Sequence, residues 1–253
     1  MSPRQVELSS SGSKVASCRV WQHWHVTDRW PEAVVFDLDG TLIDSAGDIT
    51  DALNLALRQT DLEPFSEAEV RLMVGGGSRV LIDRALKARG RGDDDSLAQR
   101  LHEVFFEIYL TASVARTKVY DHGRTMLDEL RRSGIKLAIC TNKPASITES
   151  VLSKLGLRKC FDAVVGGTDE LPKKPDPAML LAALSELGVA ADRAVMIGDS
   201  SADVGAARAA GLPVIAVSFG YSRIPAHELG ADLVVDSLAE IADAIQALKK
   251  RRF

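Results

Sequence analysis

The amino-acid sequence predicts an α/β fold: a parallel sheet covered by helices on both faces, with an all-helical segment inserted near its beginning. Two observations predict it. From residue 31 onward, short apolar runs without polar alternation recur between helical patterns, as expected for fully buried strands. After the first of these runs comes a long interval that contains helical patterns only. Because such sheets bind ligands at the carboxyl ends of their strands, polar residues at those ends are the candidates for function.

The predicted strands are short, and amphipathic helices separate most of them. A helix over 125–132 ends before Gly134, and another over 177–187 ends before Gly188, since glycine readily takes the left-handed backbone that follows many helices. In the last helix, apolar residues recur at helical spacing from residue 238 onward. The strands are predicted over 34–36, 137–141, 163–165, 194–197, 214–217 and 233–235.

The helical interval divides the chain into three parts. We predict a core formed by residues 31–44 and 117–253, a helical cap formed by residues 45–116, and a flexible extension over 1–30, which is rich in serine. A glycine run at 75–77 separates two of the cap's apolar faces. These faces comprise Ile49, Leu53, Ala56, Leu57 and Thr60, then Val80, Leu81, Ala85 and Leu86, and finally Leu101, Val104, Phe105, Ile108 and Tyr109.

The bulk composition restricts the class of protein. With 253 residues, 46% hydrophobic and 26% charged, the chain is typical of a soluble globular protein, and its net charge of −4 does not indicate a nucleic-acid partner. No apolar run approaches the ~18 residues of a membrane span. Cys18, Cys140 and Cys160 are widely spaced, which favours the reducing cytoplasm, with Cys140 as a small core residue. The Trp–His cluster at 21–25 makes at best a weak metal site. The oligomeric state stays open.

The most informative segment is 34–42, where an apolar strand leads into Asp37, Asp39 and Gly40. Residues two apart on an extended backbone point the same way, so both carboxylates can face one site. Two buried negative charges are costly unless a cation compensates them. Oxygen ligands without nearby Cys or His favour Mg²⁺. Gly40 allows a tight turn directly after the pair.

Three other places carry polar residues of complementary kinds. One strand ends in Thr141 and Asn142, another ends in Asp199 followed by Asp203, and Lys174 is held toward extended backbone by the proline after it. The carboxyl ends of parallel strands meet at one edge of a sheet, so we expect these groups to converge. Carboxylates for a metal, a hydroxyl and an ammonium would together neutralise and position a phosphoryl group.

Taken in their order along the chain, these polar segments resemble the four motifs of the haloacid dehalogenase superfamily. The resemblance covers roughly residues 31–236 and implies a Rossmann-like core with a helical cap inserted after the first motif. The four motifs read Asp37-Leu38-Asp39-Gly40-Thr41-Leu42, then Thr141, then Lys174-Pro175, and last Gly198-Asp199 with Asp203 four residues later.

The resemblance implies a catalytic role for each motif. Asp37 would be the nucleophile that forms an aspartyl-phosphate. Asp39 would protonate the departing alkoxide and then deprotonate the water that hydrolyses this intermediate. Thr141, with the nearby amide of Asn142, would bind the phosphate oxygens, and Lys174 would balance the charge of nucleophile and phosphate.

The same resemblance implies a Mg²⁺ site. Its ligands would be Asp37, the backbone carbonyl of Asp39, and Asp199, with Asp203 orienting these ligands from behind. A simpler alternative for Asp199 and Asp203 is that they cap and charge the start of a helix, which is stabilising without any metal.

Asp39 favours the phosphoryl-transfer branches of this superfamily. The dehalogenases and phosphonatases, which are other branches, lack the second aspartate of the first motif. The segments 74–86, 141–144 and 219–221 are similar to those of phosphoglycolate phosphatases. This implies that a small phosphorylated metabolite, 2-phosphoglycolate, is hydrolysed, with Arg79 available for its carboxylate. The glycines at 75–77 would let backbone approach the substrate, or simply join two cap helices. The alternatives are a hydrolase of other sugar phosphates or pyrophosphate, a beta-phosphoglucomutase-like phosphotransferase, and a non-catalytic phosphometabolite sensor.

Overall fold

The central sheet has six parallel strands, and each was predicted from the sequence. The computed structural model describes residues 30–112 and 114–252, so the predicted extension, including the Trp–His cluster and Cys18, lies outside the described residues. Numbered along the chain, the strands are β1 (Ala33–Phe36), β2 (Ile43–Asp44), β3 (Lys118–Val119), β4 (Lys136–Pro144), β5 (Ala163–Gly167), β6 (Ala194–Gly198), β7 (Val214–Val217) and β8 (Leu233–Val235). Their order in the central sheet is β5-β4-β1-β6-β7-β8, and β2 pairs with β3 in a separate ribbon.

Helices cover both faces of the sheet, as the continuous apolar runs of its strands predict. In β1, Val34 and Phe36 belong to one hydrophobic cluster, whereas Ala33 and Val35 belong to the other. The first cluster includes residues of the helices at 123–132, 145–154 and 241–252, and the second includes residues of the helices at 178–187 and 201–210. The helices are α1 (Ala46–Leu57), α2 (Glu67–Arg71), α3 (Ser78–Ala88), α4 (Asp95–Ala112), α5 (Gly123–Arg132), α6 (Ala145–Lys154), α7 (Ala178–Leu187), α8 (Ser201–Ala210) and α9 (Ile241–Arg252).

Helices α1 to α4 form the segment between β2 and β3, and residues 45–112 contain no strand. The antiparallel pair Ile43–Val119 brings the two connections to this segment side by side. Asp48 also joins them, because its carboxylate accepts hydrogen bonds from the backbone N–H groups of Arg116 and Thr117 at 2.9 and 2.8 Å. The division into core and cap at residues 44–45 and 116–117 stays a proposal.

The interior of the described chain is predominantly apolar. Cys140 is fully buried within β4, which confirms its prediction as a small core residue. In residues 30–112 and 114–252, no helix combines the length and apolar character that a bilayer crossing requires.

Candidate active site

The predicted strand-end residues meet at one edge of the sheet. Asp37 follows β1, Thr141 lies near the end of β4, and Asp199 follows β6, so the three come from neighbouring strands. Asp37, Asp39 and Thr141 line a cavity between the sheet and the inserted helices.

On one side of the cavity, three carboxylates share a single ammonium. Asp37, Asp199 and Asp203 each place an oxygen within 4.8 Å of the others. Lys174 Nζ donates to Asp37 Oδ1 at 2.9 Å and to Asp203 Oδ1 at 2.6 Å. When all four groups are ionised, this cluster carries an excess of two negative charges.

The titration of these groups reflects that excess. Burial is the main reason that the pKa of Asp37 is raised to about 6, and repulsion from Asp203 adds to it, although Lys174 opposes the shift. Burial, together with Asp203 and Asp37, raises the pKa of Asp199 well above its usual range. For Lys174, burial alone would lower the pKa, but the attraction of Asp203 and Asp37 outweighs burial and raises it.

The donor set suits a divalent cation. All three groups are hard oxygen ligands, and a charge of +2 would offset the excess of negative charge. Asp37 and Asp199, predicted as metal ligands from the resemblance, both belong to this set. The carboxylate of Asp39 does not belong to it, so the backbone carbonyl is the part of Asp39 that remains as a predicted ligand.

Asp203 combines the two roles that the sequence left open. Its Oδ2 accepts hydrogen bonds from the backbone N–H groups of Asp199 and Ser200 at 3.2 and 3.0 Å, which caps the start of α8. Its Oδ1 accepts from Lys174. The same side chain therefore stabilises the helix and holds the ammonium beside Asp37.

Gly40 and Tyr221 bring the chain close around Asp199. Gly40 has a φ of +84°, and a Cβ there would lie 2.5 Å from Asp199 Oδ2, so the predicted tight turn does require glycine. The backbone N–H of Tyr221 donates to that oxygen at 2.6 Å. The Asp199 side chain is thereby fixed against the loop that carries Asp39.

Asp39 lies in a different environment, built by residues to which the sequence analysis gave no role. Lys143 Nζ is 2.9 Å from both Asp39 carboxylate oxygens. Ser45 Oγ donates to Asp39 Oδ1 at 2.6 Å, and Lys143 Nζ donates to Tyr109 Oη on α4 at 2.6 Å. The Lys143 side chain is only 3% exposed. A signal for Lys143 was present, since it lies two residues after Thr141 on an extended strand.

That Asn142 binds phosphate oxygens stays a prediction, and in this structure its side-chain amide has partners within the protein. Its Nδ2 donates to the backbone carbonyls of Gly75 and Lys174 at 2.9 and 3.0 Å, so both amide protons are used. Its Oδ1 accepts from the Lys174 N–H at 2.9 Å. The side chain of Asn142 thus holds the loop that carries Lys174 and contacts the inserted segment.

That Arg79 binds a substrate carboxylate also stays a prediction, and in this structure its guanidinium pairs with two carboxylates. Arg79 Nε pairs with Asp83 at 2.9 Å, and its Nη2 pairs with Asp95, with the side chain 36% exposed. On α3, Ser78 and Leu81 line the cavity instead. Successive helical residues differ in direction by about 100°, so the neighbour of a cavity-lining residue can point away from the cavity.

The glycine run joins two helices of the inserted segment, which is one of the two purposes considered for it, while its approach to a substrate stays a prediction. It joins α2 to α3, and Gly75 and Gly77 have φ angles of +111° and +90°. A Cβ on Gly77 would lie 3.0 Å from the backbone oxygen of Asn142, and both glycines line the cavity. Small residues are therefore needed where this loop approaches the core.

Comparison with known proteins agrees with these features. Residues 34–217 match the family model of the haloacid dehalogenase-like hydrolases. A phosphoglycolate phosphatase from Rhodospirillum rubrum is 45% identical over 84% of this chain and 90% of its own length, and one from Caulobacter vibrioides is 40% identical over 83% and 89%. The crystal structure of a predicted phosphoglycolate phosphatase from Haemophilus somnus 129PT superposes with a TM-score of 0.79 at 28% identity, covering 84% of this chain and 97% of that one. The chain therefore belongs to the haloacid dehalogenase-like hydrolase family.

Proposed function

We propose that this protein is a phosphatase that hydrolyses 2-phosphoglycolate to glycolate and phosphate. The strongest support is that relatives named for this activity are 40–45% identical over most of their own length and of this chain. The site adds two carboxylates, a hydroxyl and a buried ammonium beside one small cavity. This is the equipment that phosphomonoester hydrolysis through a covalent intermediate requires.

Asp37 is the proposed nucleophile. Lys174 holds its Oδ1, which leaves Oδ2 to attack the phosphorus atom. The new bond joins Oδ2 to phosphorus, the bond from phosphorus to the ester oxygen breaks, and an aspartyl-phosphate remains on the enzyme. Lys174, which contacts Asp37, also balances the charge of the phosphoryl group. Thr141 lies at the cavity wall, and its hydroxyl binds one of the phosphoryl oxygens.

Asp39 is the proposed acid and base. In the first step it gives a proton to the departing alkoxide of glycolate, and in the second it takes a proton from the water that attacks the aspartyl-phosphate. Ser45 and Lys143 fix the orientation of its carboxylate. Part of the cavity wall is apolar, with side chains such as Leu81 and Phe105 that limit the access of bulk water.

Mg²⁺ is the proposed cofactor. Asp37, Asp199 and the backbone carbonyl of Asp39 would hold it, with Asp203 orienting Asp199 through the backbone N–H of that residue. When bound, it supplies positive charge for the carboxylates and the phosphoryl oxygens.

The test is a substrate screen in the presence of Mg²⁺ with 2-phosphoglycolate, hexose phosphates, nucleotides and pyrophosphate. We expect the highest kcat/KM for 2-phosphoglycolate, with release of one phosphate per glycolate. A higher value for hexose phosphates or pyrophosphate would reject this substrate. Conversion of one sugar phosphate to its isomer would indicate a phosphotransferase, and binding without phosphate release would indicate a sensor.

A further inference from the structure

Lys143 carries a buried positive charge that the reaction steps above use only to orient Asp39. Its side chain lies at the cavity wall, 3% exposed, and its ammonium contacts Asp39 of the core and Tyr109 of the inserted segment. It also lies 4.4 Å from the centre of the Tyr109 ring. Burying an ammonium is costly, so a position of this kind calls for a functional explanation.

The charges around the cavity are unevenly distributed. Among the described residues that line it, Lys143 has the one cationic side chain, while Asp37 and Asp39 are acidic and the others are apolar or neutral. Lys174 lies behind Asp37, where it can balance the phosphoryl group. A second anionic group on the substrate would therefore meet two carboxylates, apolar side chains or uncharged groups such as the Ser78 hydroxyl, and only Lys143 among these residues could neutralise its charge.

We propose that Lys143 binds the carboxylate of the substrate and so selects phosphorylated carboxylic acids over neutral phosphomonoesters. This inference rests on the proposed function. In 2-phosphoglycolate, the carboxyl carbon is two bonds from the ester oxygen that Asp39 protonates. Lys143 Nζ, at 2.9 Å from the Asp39 carboxylate, lies within reach of a group so close to that oxygen.

The present contacts of Lys143 are suited to this exchange. An ammonium has three N–H donors, and here they are directed to Asp39 and to Tyr109. Because a lysine ammonium is a compact point charge, it can transfer one donor to a substrate oxygen without moving its aliphatic stem. Asp39 and Tyr109 keep it in place until the substrate arrives, so little side-chain entropy is lost on binding.

The experiment compares two substrates that differ at one group. In 2-hydroxyethyl phosphate, a hydroxymethyl group stands where 2-phosphoglycolate has its carboxylate. For Lys143→Met, we expect the preference for 2-phosphoglycolate, measured as the ratio of the two kcat/KM values, to fall about 10- to 100-fold, the effect of losing a charge-assisted hydrogen bond. Loss of the Asp39 partner affects both substrates and cancels in the ratio.

Lys173→Met is the matched control. It removes the charge of the lysine that precedes Lys174, which is not among the residues that line the cavity, and it should leave the ratio of the two kcat/KM values unchanged. If Lys143→Met does not fold, Lys143→Gln gives the same measurement.

An equal loss on both substrates would overturn the inference, because Lys143 would then only position Asp39, while the proposed function would stand. A wild-type protein that hydrolyses other phosphomonoesters but not 2-phosphoglycolate would reject the proposed function, and this inference with it.

Discussion

Asp37 and Asp39 are two residues apart on one chain and border the same cavity, yet their surroundings differ in charge. Asp37 shares Lys174 with Asp203, and a third buried carboxylate, Asp199, lies within 4.8 Å of both, so this side of the cavity has more negative than positive charge. Asp39 has a lysine of its own, Lys143, and a hydroxyl donor as well. The side of Asp37 thus has an excess of negative charge that is incomplete without a cation, whereas the charge of Asp39 is balanced by Lys143.

Neighbouring side chains, more than position in the sequence, therefore determine which reaction step a carboxylate is suited to perform. The incomplete side attracts cations and suits a nucleophile that works beside a metal ion. The balanced side needs no metal and suits proton transfer. The following experiments would break or sharpen this contrast.

The largest expected effect is that of Asp37→Asn. An amide cannot form the aspartyl-phosphate, so kcat for 2-phosphoglycolate should fall by at least about 10⁴-fold. Steady-state phosphate release measures this, with mass spectrometry to exclude deamidation of the new Asn. A variant that kept most of its activity would remove Asp37 from the nucleophile role.

Asp39→Asn should have a smaller and substrate-dependent effect. We expect a fall of about 10²- to 10⁴-fold in kcat for 2-phosphoglycolate, the usual contribution of a general acid or base. The fall should be smaller for p-nitrophenyl phosphate, whose leaving group departs without a proton. Equal losses on the two substrates would argue that Asp39 does not protonate the leaving group.

The stability of the metal-free protein should depend on pH through Asp37. Its pKa is about 6 in the folded protein against 3.8 for an ordinary aspartate, so the unfolded chain releases this proton first. Stability should therefore fall as the pH rises from about 4 to about 6, by about 3 kcal/mol at ~1.4 kcal/mol per pKa unit. The difference in urea-unfolding free energy between wild type and Asp37→Asn in EDTA measures this effect together with the effect of Asp37 on the pKa of Asp199. A difference that did not change with pH would contradict it.

Asp199→Asn tests the negative excess without touching the nucleophile. In EDTA, at a pH high enough to ionise Asp199 in the folded protein, removing one charge from this cluster should stabilise the protein by about 1–3 kcal/mol. The rise in melting temperature that Mg²⁺ gives to the wild type should also be lost. Asp243→Asn, an exposed change on α9, is the control. If Asp199→Asn melted earlier and still responded to Mg²⁺, the carboxylate cluster would not be the metal site.

Tyr109→Phe should have the smallest effect. It removes one hydrogen bond to Lys143 but keeps the ring, which packs 5.5 Å from Phe105 between ring centres. We expect kcat/KM for 2-phosphoglycolate to fall about 2- to 10-fold, the usual worth of one such bond. A loss as large as that of Lys143→Met would mean that Tyr109 contacts the substrate directly.

The sequence predicts the fold well because its signals are local. A buried parallel strand is a continuous apolar run, and the polar residues at its end are read directly from the chain, which is how Asp37, Thr141 and Asp199 were found. The two-residue strands β2 and β3 were missed, since so short a pairing leaves no periodicity.

The site was predicted less completely because its contacts join distant segments. Lys143 and Asp39 are 104 residues apart, and the pairing of Asn142 with Lys174 spans 32. The sequence therefore did not show that Asp39 has its own lysine, or that the amide protons of Asn142 are used. The sequence also did not show that Arg79 pairs with Asp83 and Asp95, because side-chain direction changes by about 100° per helical residue and the glycines before the helix leave its starting direction undefined.

The Asn142 side chain has a mechanical consequence. One amide group fastens the glycine loop of the inserted helices to the loop that carries the lysine behind the nucleophile. If those helices moved away from the sheet, the bond to Gly75 would break on the same side chain that holds the Lys174 carbonyl. Access to the cavity would then be coupled to the placement of Lys174 through Asn142.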